Sequence, residues 1–315
     1  MICRVPGLKG RERIALEKKI NTEADFSILS KKDIECIIGR VLRGRSWTMA
    51  EVRSLAEKDA SEALKLGIRR ISWREKEYPP LLREIYDPPS ILFYRGILPN
   101  PEKPLVAVVG TRKPSSRASA RAFALGRELG EAGFSVVSGL ALGIDAMAHR
   151  GNVEGGAATV AVLGSGPDYV YPVSNRDLAR RILETGGAVL SEYAPGTKPF
   201  KGHFPARNRI ISALARGTVI VEAPEKSGAL ITAKFALDQN RDIWVDRVGI
   251  SSPNGKGSAW LAGEGAPVID SAADILAEWN ISGVKRKDVT RTAERNSATG
   301  ATLAASLAEY LDIKL

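Results

Sequence analysis

The stretch with the most chemistry is Pro199-Phe200-Lys201-Gly202-His203-Phe204-Pro205-Ala206-Arg207-Asn208-Arg209. Two arginines with an asparagine between them supply donors for phosphate oxygens. Phe200, His203 and Phe204 beside them supply ring faces for unstacked bases. Lys201, and Arg176 upstream, extend the basic strip. A further cation, Arg112, follows Gly110-Thr111 in a tight turn, where a forked guanidinium can hold an anion with little further ordering. This chemistry suits a polyanion carrying rings. The structural alternative is a set of surface salt bridges around a buried Phe pair. The stretch reads as an extended loop leading into a helix from Ile210 to Ala215, so Arg207 and Arg209 should point to opposite sides. One would face the ligand, and the other would anchor the loop against Glu192 or Glu222.

Catalytic readings find less support. His149 follows Asp145 by four residues and would share a helix face with it, which suits a packed histidine better than a base. Ser138 in SGLALG and Ser227 in SGAL are not nucleophile elbows. No HExxH motif or clustered aspartate pair points to a metal. Glu222, at a strand end, is placed to hold an arginine or a helix N-terminus, or to act as a base.

These residues need a scaffold, and residues 105–166 provide its centre. Leu105 to Val109 is a Val-rich run of the buried parallel type. Gly110-Thr111-Arg112 turns the chain, and Ser115 or Ser116 caps a helix whose apolar face is Ala118, Ala122, Leu125 and Leu129. Gly133 ends that helix. Phe134 to Val137 and Thr159 to Leu163 are two more strands, closed by Ser138-Gly139 and Gly164-Ser165-Gly166. In a parallel sheet all three turns lie at the carboxyl edge, where ligands bind in this architecture. The same glycines also suit plain tight turns. The spacing is not GxGxxG and no Gly-Lys-Ser/Thr follows, so neither a dinucleotide fingerprint nor a Walker A loop is present. Further strands are expected at Ala188 to Leu190, Thr218 to Val221 and Asp242 to Val245. Helices are expected at Arg176 to Thr185 and at Ala229 to Asp238, the last opened by Ser227-Gly228. The alternation predicts a mostly parallel α/β sheet.

The flanks differ from this centre. Residues 1–70 read as helices. One, from Leu29 to Val41, has Ser30 as its cap and Ile34, Ile37, Ile38 and Val41 on one face. Another starts near Trp47 and runs to about Leu66. Residues 71–104 form a proline-rich connector, with one strand at Ile91 to Tyr94. Trp73, Tyr78, Tyr86, Phe93 and Tyr94 pack it onto the main domain, or else offer a stacking platform. Residues 105–280 are the main domain. Residues 281–315 read as a polar tail containing Lys285-Arg286-Lys287 and a short helix from Ala301 to Leu311.

With 315 residues, 44% hydrophobic and 26% charged, the chain is of ordinary globular composition. A net charge of +10 favours a polyanionic partner. No apolar run is long enough to span a bilayer, the start lacks the apolar core of a signal peptide, and Cys3 and Cys36 make no disulfide framework. The cytoplasm is the default compartment.

The motifs YPPLLREIYDPPSILFYRG, GTRKPS, SGLALGIDAMAH, VAVLGSGPDYVYPVSN, HFPARNRIIS and VEAPEKSGALITAKFA, in this order and spacing, resemble the DNA-processing protein A (DprA/Smf) family. The resemblance covers roughly residues 78–270. It implies an extended Rossmann-like sheet preceded by a small SAM-like helical domain. It implies a protein that binds single-stranded DNA and loads the RecA recombinase on it in natural transformation, as a homodimer through the Rossmann-like domain. It implies no catalytic reaction and no cofactor. The family's DNA pocket matches Gly110, Thr111, Arg112, Ser138, Gly139 and the Arg207-Asn208-Arg209 stretch. Gly164, Gly166, Asn175, Arg176, Lys201, His203, Phe204, Ser227 and Gly228 complete the candidate DNA site.

The chain departs from the family at two places. Members carry a strand ending in AVPG, then NxxGxN. Here Val245-Asp246-Arg247-Val248-Gly249 and Ser252-Pro253-Asn254-Gly255-Lys256-Gly257 stand in their place, which puts an acid near the back of the site. The residues after Val284 are also too few for the winged-helix domain that many members carry. A competing reading is a nucleotide-processing enzyme resembling the cytokinin-activating phosphoribohydrolases. The glycine pair and downstream glutamate of their PGGxGTxxE stretch are missing from Glu222-Ala223-Pro224-Glu225-Lys226-Ser227-Gly228.

Overall fold

The computed structural model describes residues 1–44, 46–281 and 297–311. The chain opens with helices α1 (Gly10–Lys19), α2 (Glu23–Ser27), α3 (Lys31–Ile38) and α4 (Met49–Lys65). Reciprocal capping boxes start α2, α3 and α4, Thr22 with Asp25, Ser30 with Asp33 and Thr48 with Glu51. Leu16, Phe26, Ile34 and Val52 meet in a core of their own. The apolar face expected to reach Val41 stops short. Gly39, at φ +72° in the left-handed region, ends α3 and turns the chain away, leaving Val41 66% exposed.

Next come β1 (Arg69–Ser72), α5 (Pro80–Arg83) and β2 (Ile91–Gly96). The two strands are antiparallel, and β2 pairs in turn with a strand of the main sheet. The sheet therefore begins upstream of residue 105. Tyr78 is fully buried, its hydroxyl donating to the Pro89 carbonyl at 2.7 Å, and Phe93 is buried in a separate cluster with Ala63, Ile68 and Ala194. Trp73 and Tyr94 pack against the core, so the connector aromatics serve packing, with Tyr86 as the exposed exception.

The centre alternates strand and helix: β3 (Leu105–Val109), α6 (Ser116–Glu131), β4 (Ser135–Ser138), α7 (Ile144–Glu154), β5 (Val160–Val162), α8 (Arg176–Glu184), β6 (Ala188–Ser191), α9 (His203–Leu214), β7 (Gly217–Ile220), α10 (Gly228–Asp238) and β8 (Asp242–Asp246). Then follow α11 (Arg247–Ile250), α12 (Lys256–Gly263), β9 (Val268–Ile269), α13 (Ala272–Glu278) and α14 (Ser297–Tyr310). Among the described residues the strands form one nine-stranded sheet, ordered β1-β2-β6-β5-β4-β3-β7-β8-β9. From β6 to β9 every pairing is parallel.

Strand β3 shows why the sheet sits at the centre. Ala107 and Val109 face one apolar layer, and Val106 and Val108 face the other. All five of its residues are buried, as a strand covered by helices on both faces requires. Ala118, Ala122, Leu125 and Leu129 of α6 are fully buried, the face read from sequence, and Ser115 caps the helix. Burying each leucine is worth roughly 1.5–3 kcal/mol. The polar tail expected after residue 280 contains more structure than its composition indicated: α14 packs on α10, buries Leu303 and Leu307, and stacks Tyr310 on Trp260 at 4.2 Å. Lys285, Arg286 and Lys287 lie outside the described residues. No helix among the described residues is long and apolar enough to cross a membrane.

Candidate nucleic-acid interface

From β3 the chain winds outward through β4, β5 and β6, then returns to place β7 on the other side of β3. The helices leaving β3 and β7 diverge at this reversal, which opens a crevice at the carboxyl edge. A cavity of about 910 Å³ fills it, lined by Gly110, Thr111 and Arg112 after β3, Phe204, Arg207 and Asn208 on α9, and Ser227 and Gly228 at the start of α10. The turns after β3, β4 and β5 meet on this edge, as their small residues predicted.

The first turn is pinned from β7. Thr111 N donates to the Glu222 carbonyl at 2.8 Å, and the Glu222 carboxylate accepts from Ser115 N at 2.8 Å and from the Ser252 hydroxyl. Glu222 is fully buried, so of its possible roles the structure realises the hold on a helix N-terminus. Asp246 does not reach the cavity as an open acid. It is buried, takes 2.8 Å from Arg121 Nε and caps Val248 N. Burial pushes its carboxyl up and Arg121 opposes that.

Arg207 forms the floor. Its stretch is helical already, with α9 starting at His203, so the expected extended loop is corrected. Pro205 falls in the first turn, where the missing N–H breaks no helix bond. The outward split between the two arginines survives, because residues two apart on a helix are about 200° apart around its axis. Arg207 is only 4% exposed and donates from Nη1 to the Gly139 carbonyl at 2.9 Å and to the Val162 carbonyl. Its guanidinium therefore joins the turns after β4 and β5. A side chain at position 139 would displace this guanidinium and the Asp145 carboxylate. Burial, with Arg112 nearby and Asp145 opposing, pushes Arg207 down to about 10, which leaves it charged at neutral pH. Asp145 accepts from Gly139 N at 3.1 Å and Ala141 N at 3.4 Å, and burial pushes its carboxyl up against the pull of Arg207.

Above this floor the surface is aromatic and basic. The exposed Arg112 guanidinium lies 5.5 Å from the Phe204 ring centroid, and Tyr171 meets the same ring at 5.7 Å. Lys201 and Asn254 reach the cavity wall. A side slot extends between Leu142, Tyr171, Pro172 and Phe204. Phe200, Tyr171 and Leu142 remain largely exposed at the rim. Opposite, the α10 N-terminus presents N–H groups that no helix carbonyl satisfies. Asn208 Nδ2 donates to the Gly228 carbonyl at 3.1 Å, and the buried Ser227 hydroxyl has no partner among the described residues.

Other predicted residues support the cavity from behind or lie away from it. Ser138 is buried and donates to the Val108 carbonyl at 2.6 Å. Gly164 packs under the Phe204 ring, while His203 stacks on Tyr193 at 3.9 Å with Nδ1 3.1 Å from the Gly164 carbonyl. Asn175 braces the Leu140 and Ala141 carbonyls at 3.0 and 3.3 Å. Gly166 belongs to the neighbouring turn, where its N–H donates to the Thr197 carbonyl. Arg176 is exposed at the start of α8 and does not line the cavity. Arg209 points away and binds Glu192 through two bonds of 2.7 and 2.8 Å. His149 is fully buried, with Nδ1 2.8 Å from the Thr159 hydroxyl, and burial pushes its imidazole down to about 3. Residues that sequence reasoning missed include Tyr171, Leu142 and Asn254. Tyr171 was signalled by its place beside Gly164 and Gly166 in GSGPDYVYP.

Comparison with known proteins places these features in context. The model of a family described as DNA recombination-mediator protein A matches residues 69–280. Protein Smf of Synechocystis is 44% identical over 207 residues, covering 64% of this chain and 52% of its own, so the match spans about half the length of that relative. The X-ray structure of DNA processing protein A from Streptococcus pneumoniae aligns with TM-score 0.71 at 35% identity, covering 88% of this chain and 95% of that one. DNA processing protein A from Helicobacter pylori, solved to show its single-stranded DNA binding mode, aligns with TM-score 0.58 at 28% identity, covering 68% and 95%.

Proposed function

The chain belongs to the DNA recombination-mediator protein A family, and on that premise we propose that it binds single-stranded DNA in the cavity between β3 and β7. One observation carries the proposal: a buried, still charged arginine, a helix N-terminus and an exposed ring cluster converge on one cavity. Phosphate suits the first two, and unstacked bases suit the third. Duplex DNA keeps its base faces stacked and offers only the first kind of contact. In this reading Gly110, Thr111, Arg112, Lys201, Phe204, Arg207, Asn208, Ser227 and Gly228 touch the strand. Ser138, Gly139, Gly164, Asn175 and His203 hold the surface in shape.

The wider role follows from the same premise. The protein acts as a homodimer through its Rossmann-like domain, in the cytoplasm, protecting single strands and loading RecA on them during natural transformation. Residues 1–70 act as a separate helical module. No bond is made or broken. The enzyme alternative needs an available carboxylate or base in the cavity, whereas Asp145 on its wall is held by the N–H groups of Gly139 and Ala141 beside Arg207, Glu222 is held by Ser115 and Ser252, and His149 is buried and neutral.

Fluorescence anisotropy with labelled single-stranded and duplex oligonucleotides at several salt concentrations tests the proposal. Single strands are expected to bind more tightly, with log affinity falling by about 0.7 per phosphate contact against log salt. Tighter duplex binding, or a flat salt response, refutes it. Release of free base from nucleoside monophosphates would favour the enzyme instead.

A further inference from the structure

The partners of Arg209, the second arginine on α9, lead away from the cavity. Besides its two bonds to Glu192, Arg209 donates from Nε to the backbone carbonyl of Asp87 at 3.1 Å, and the Asp87 carboxylate lies 3.7 Å from the same nitrogen. Asp87 also faces the other way. Its Oδ1 accepts from the backbone N–H of Arg11 at 2.9 Å. That N–H belongs to the first turn of α1, which no carbonyl of the helix can reach, and a carboxylate there meets the favourable end of the helix dipole. Beside this bridge the Arg11 guanidinium lies 4.4 Å from the centre of the Tyr86 ring. The start of α1 comes so close to the Pro88 carbonyl that a side chain at Gly10 would strike it. Asp87 thus ties α1 to α9, two residues from Arg207.

The rest of this seam is less completely made. Arg13 Nε and Glu17 Oε2 on α1, and Trp73 Nε1 on the connector, are buried without a hydrogen-bond partner among the described residues. Burial pushes the Glu17 carboxyl above the usual range, with Arg74 and Arg13 opposing. Other polar contacts across it are Lys18 over Trp73 at 5.2 Å and Arg74 to the Ile20 carbonyl at 3.1 Å. Water would satisfy the unpaired atoms once the seam opened, so they favour opening. Asp87 acts in the opposite sense.

We infer that Asp87 is a positioning residue that couples occupation of the cavity to the docking of the N-terminal helices. The inference rests on the cavity being the DNA site. Phe204, Arg207 and Arg209 belong to one helix, so a strand held by the first two restrains the third. Arg209 then steadies Asp87, and the seam opens less often. By linkage, docking of the helices raises DNA affinity by the same factor that DNA favours docking.

Hydrogen exchange read by mass spectrometry on the full chain, with and without a twenty-nucleotide oligothymidylate, tests this. In the wild type, DNA is expected to slow exchange in the first turns of α1 by about fivefold, together with the turn at 110–113. In Asp87→Ala, DNA still protects 110–113 but no longer affects α1. Tyr86→Ala loosens the seam and leaves the bridge, so there the response of α1 to DNA persists. If Asp87→Ala does not fold, Asp87→Asn keeps an acceptor and loses the charge, and a reduced response is expected. A wild-type α1 that ignores DNA while 110–113 is protected overturns the coupling, as does an undiminished response in either Asp87 variant. No protection at 110–113 in the wild type overturns the DNA site itself, and the coupling with it.

Discussion

Helix α9 carries one buried and one half-buried arginine in opposite circumstances. Arg209 lies outside the cavity between carboxylates. Burial works against its charge, but Glu192 and Asp87 more than offset this and raise its pKa. Arg207, at the cavity floor, donates to neutral carbonyls; burial outweighs the opposing Asp145 carboxylate and Arg112 adds a like charge, so its pKa is lowered. Burying an ion is unfavourable unless it is paired and hydrogen-bonded. The compensated arginine serves the fold. The under-compensated one is a place where an anion would relieve the electrostatic strain, so the same residue type on one helix marks structure on one side and binding on the other.

The largest effect expected from this contrast is on stability. Arg209→Ala leaves the Glu192 carboxylate largely buried and unpaired, and breaking such a pair typically costs about 3–5 kcal/mol. Urea denaturation should show that loss, with less change in DNA affinity for the protein that remains folded. Arg207→Ala should reverse the pattern. Affinity for single strands should fall about a hundredfold, roughly 2.8 kcal/mol, with a smaller loss of stability than Arg209→Ala shows. Matching stability losses in the two variants would dissolve the distinction. Arg112→Ala removes an exposed cation from a preorganised turn. A tenfold weaker affinity, about 1.4 kcal/mol, is expected in anisotropy titrations, with an unchanged melting temperature. Lys285→Ala, in the segment after the sheet, should weaken binding less than Arg112→Ala. Equal losses would mean that DNA follows diffuse charge. The smallest effect belongs to Ser227→Ala. Losing one uncharged hydroxyl contact is worth about 0.5–1.5 kcal/mol, so a few-fold weaker affinity is expected. A purely structural hydroxyl would leave affinity untouched and lower the melting temperature.

The sequence was most legible where local chemistry decides the outcome. Val-rich runs ending in Gly or Ser marked β3, β4 and β5, and Ser30 and Ser115 marked helix starts that their side chains do cap. It misled where a local signal had a second meaning. Gly202 and Pro205 suggested a loop, yet a proline in the first turn is compatible with the helix that starts at His203. The strand expected at Ile91 to Tyr94 is β2, but β1, which pairs with it at the edge of the sheet, was hidden at the end of residues read as helical. What depends on distant partners could not be read at all. Asp246 reads as an acid at the back of the site until Arg121, 125 residues earlier, is found against it. Of the residues proposed for the site, Gly110, Thr111, Arg112, Lys201, Phe204, Arg207, Asn208, Ser227 and Gly228 line the cavity. The division of Arg207 from Arg209 was expected in kind, though which arginine faced which way depended on Glu192 and Asp87 across the fold.

The ends of the sheet carry a last consequence. One boundary is β1, whose Arg69 and Arg70 are exposed, and the other is β9, only two residues long. Short strands and outward-facing cations are ways in which proteins keep unpaired backbone from templating a neighbour. The sheet is thereby protected from growing edge to edge into fibres or runaway polymers. Association between copies of this chain is likewise steered away from the strand edges.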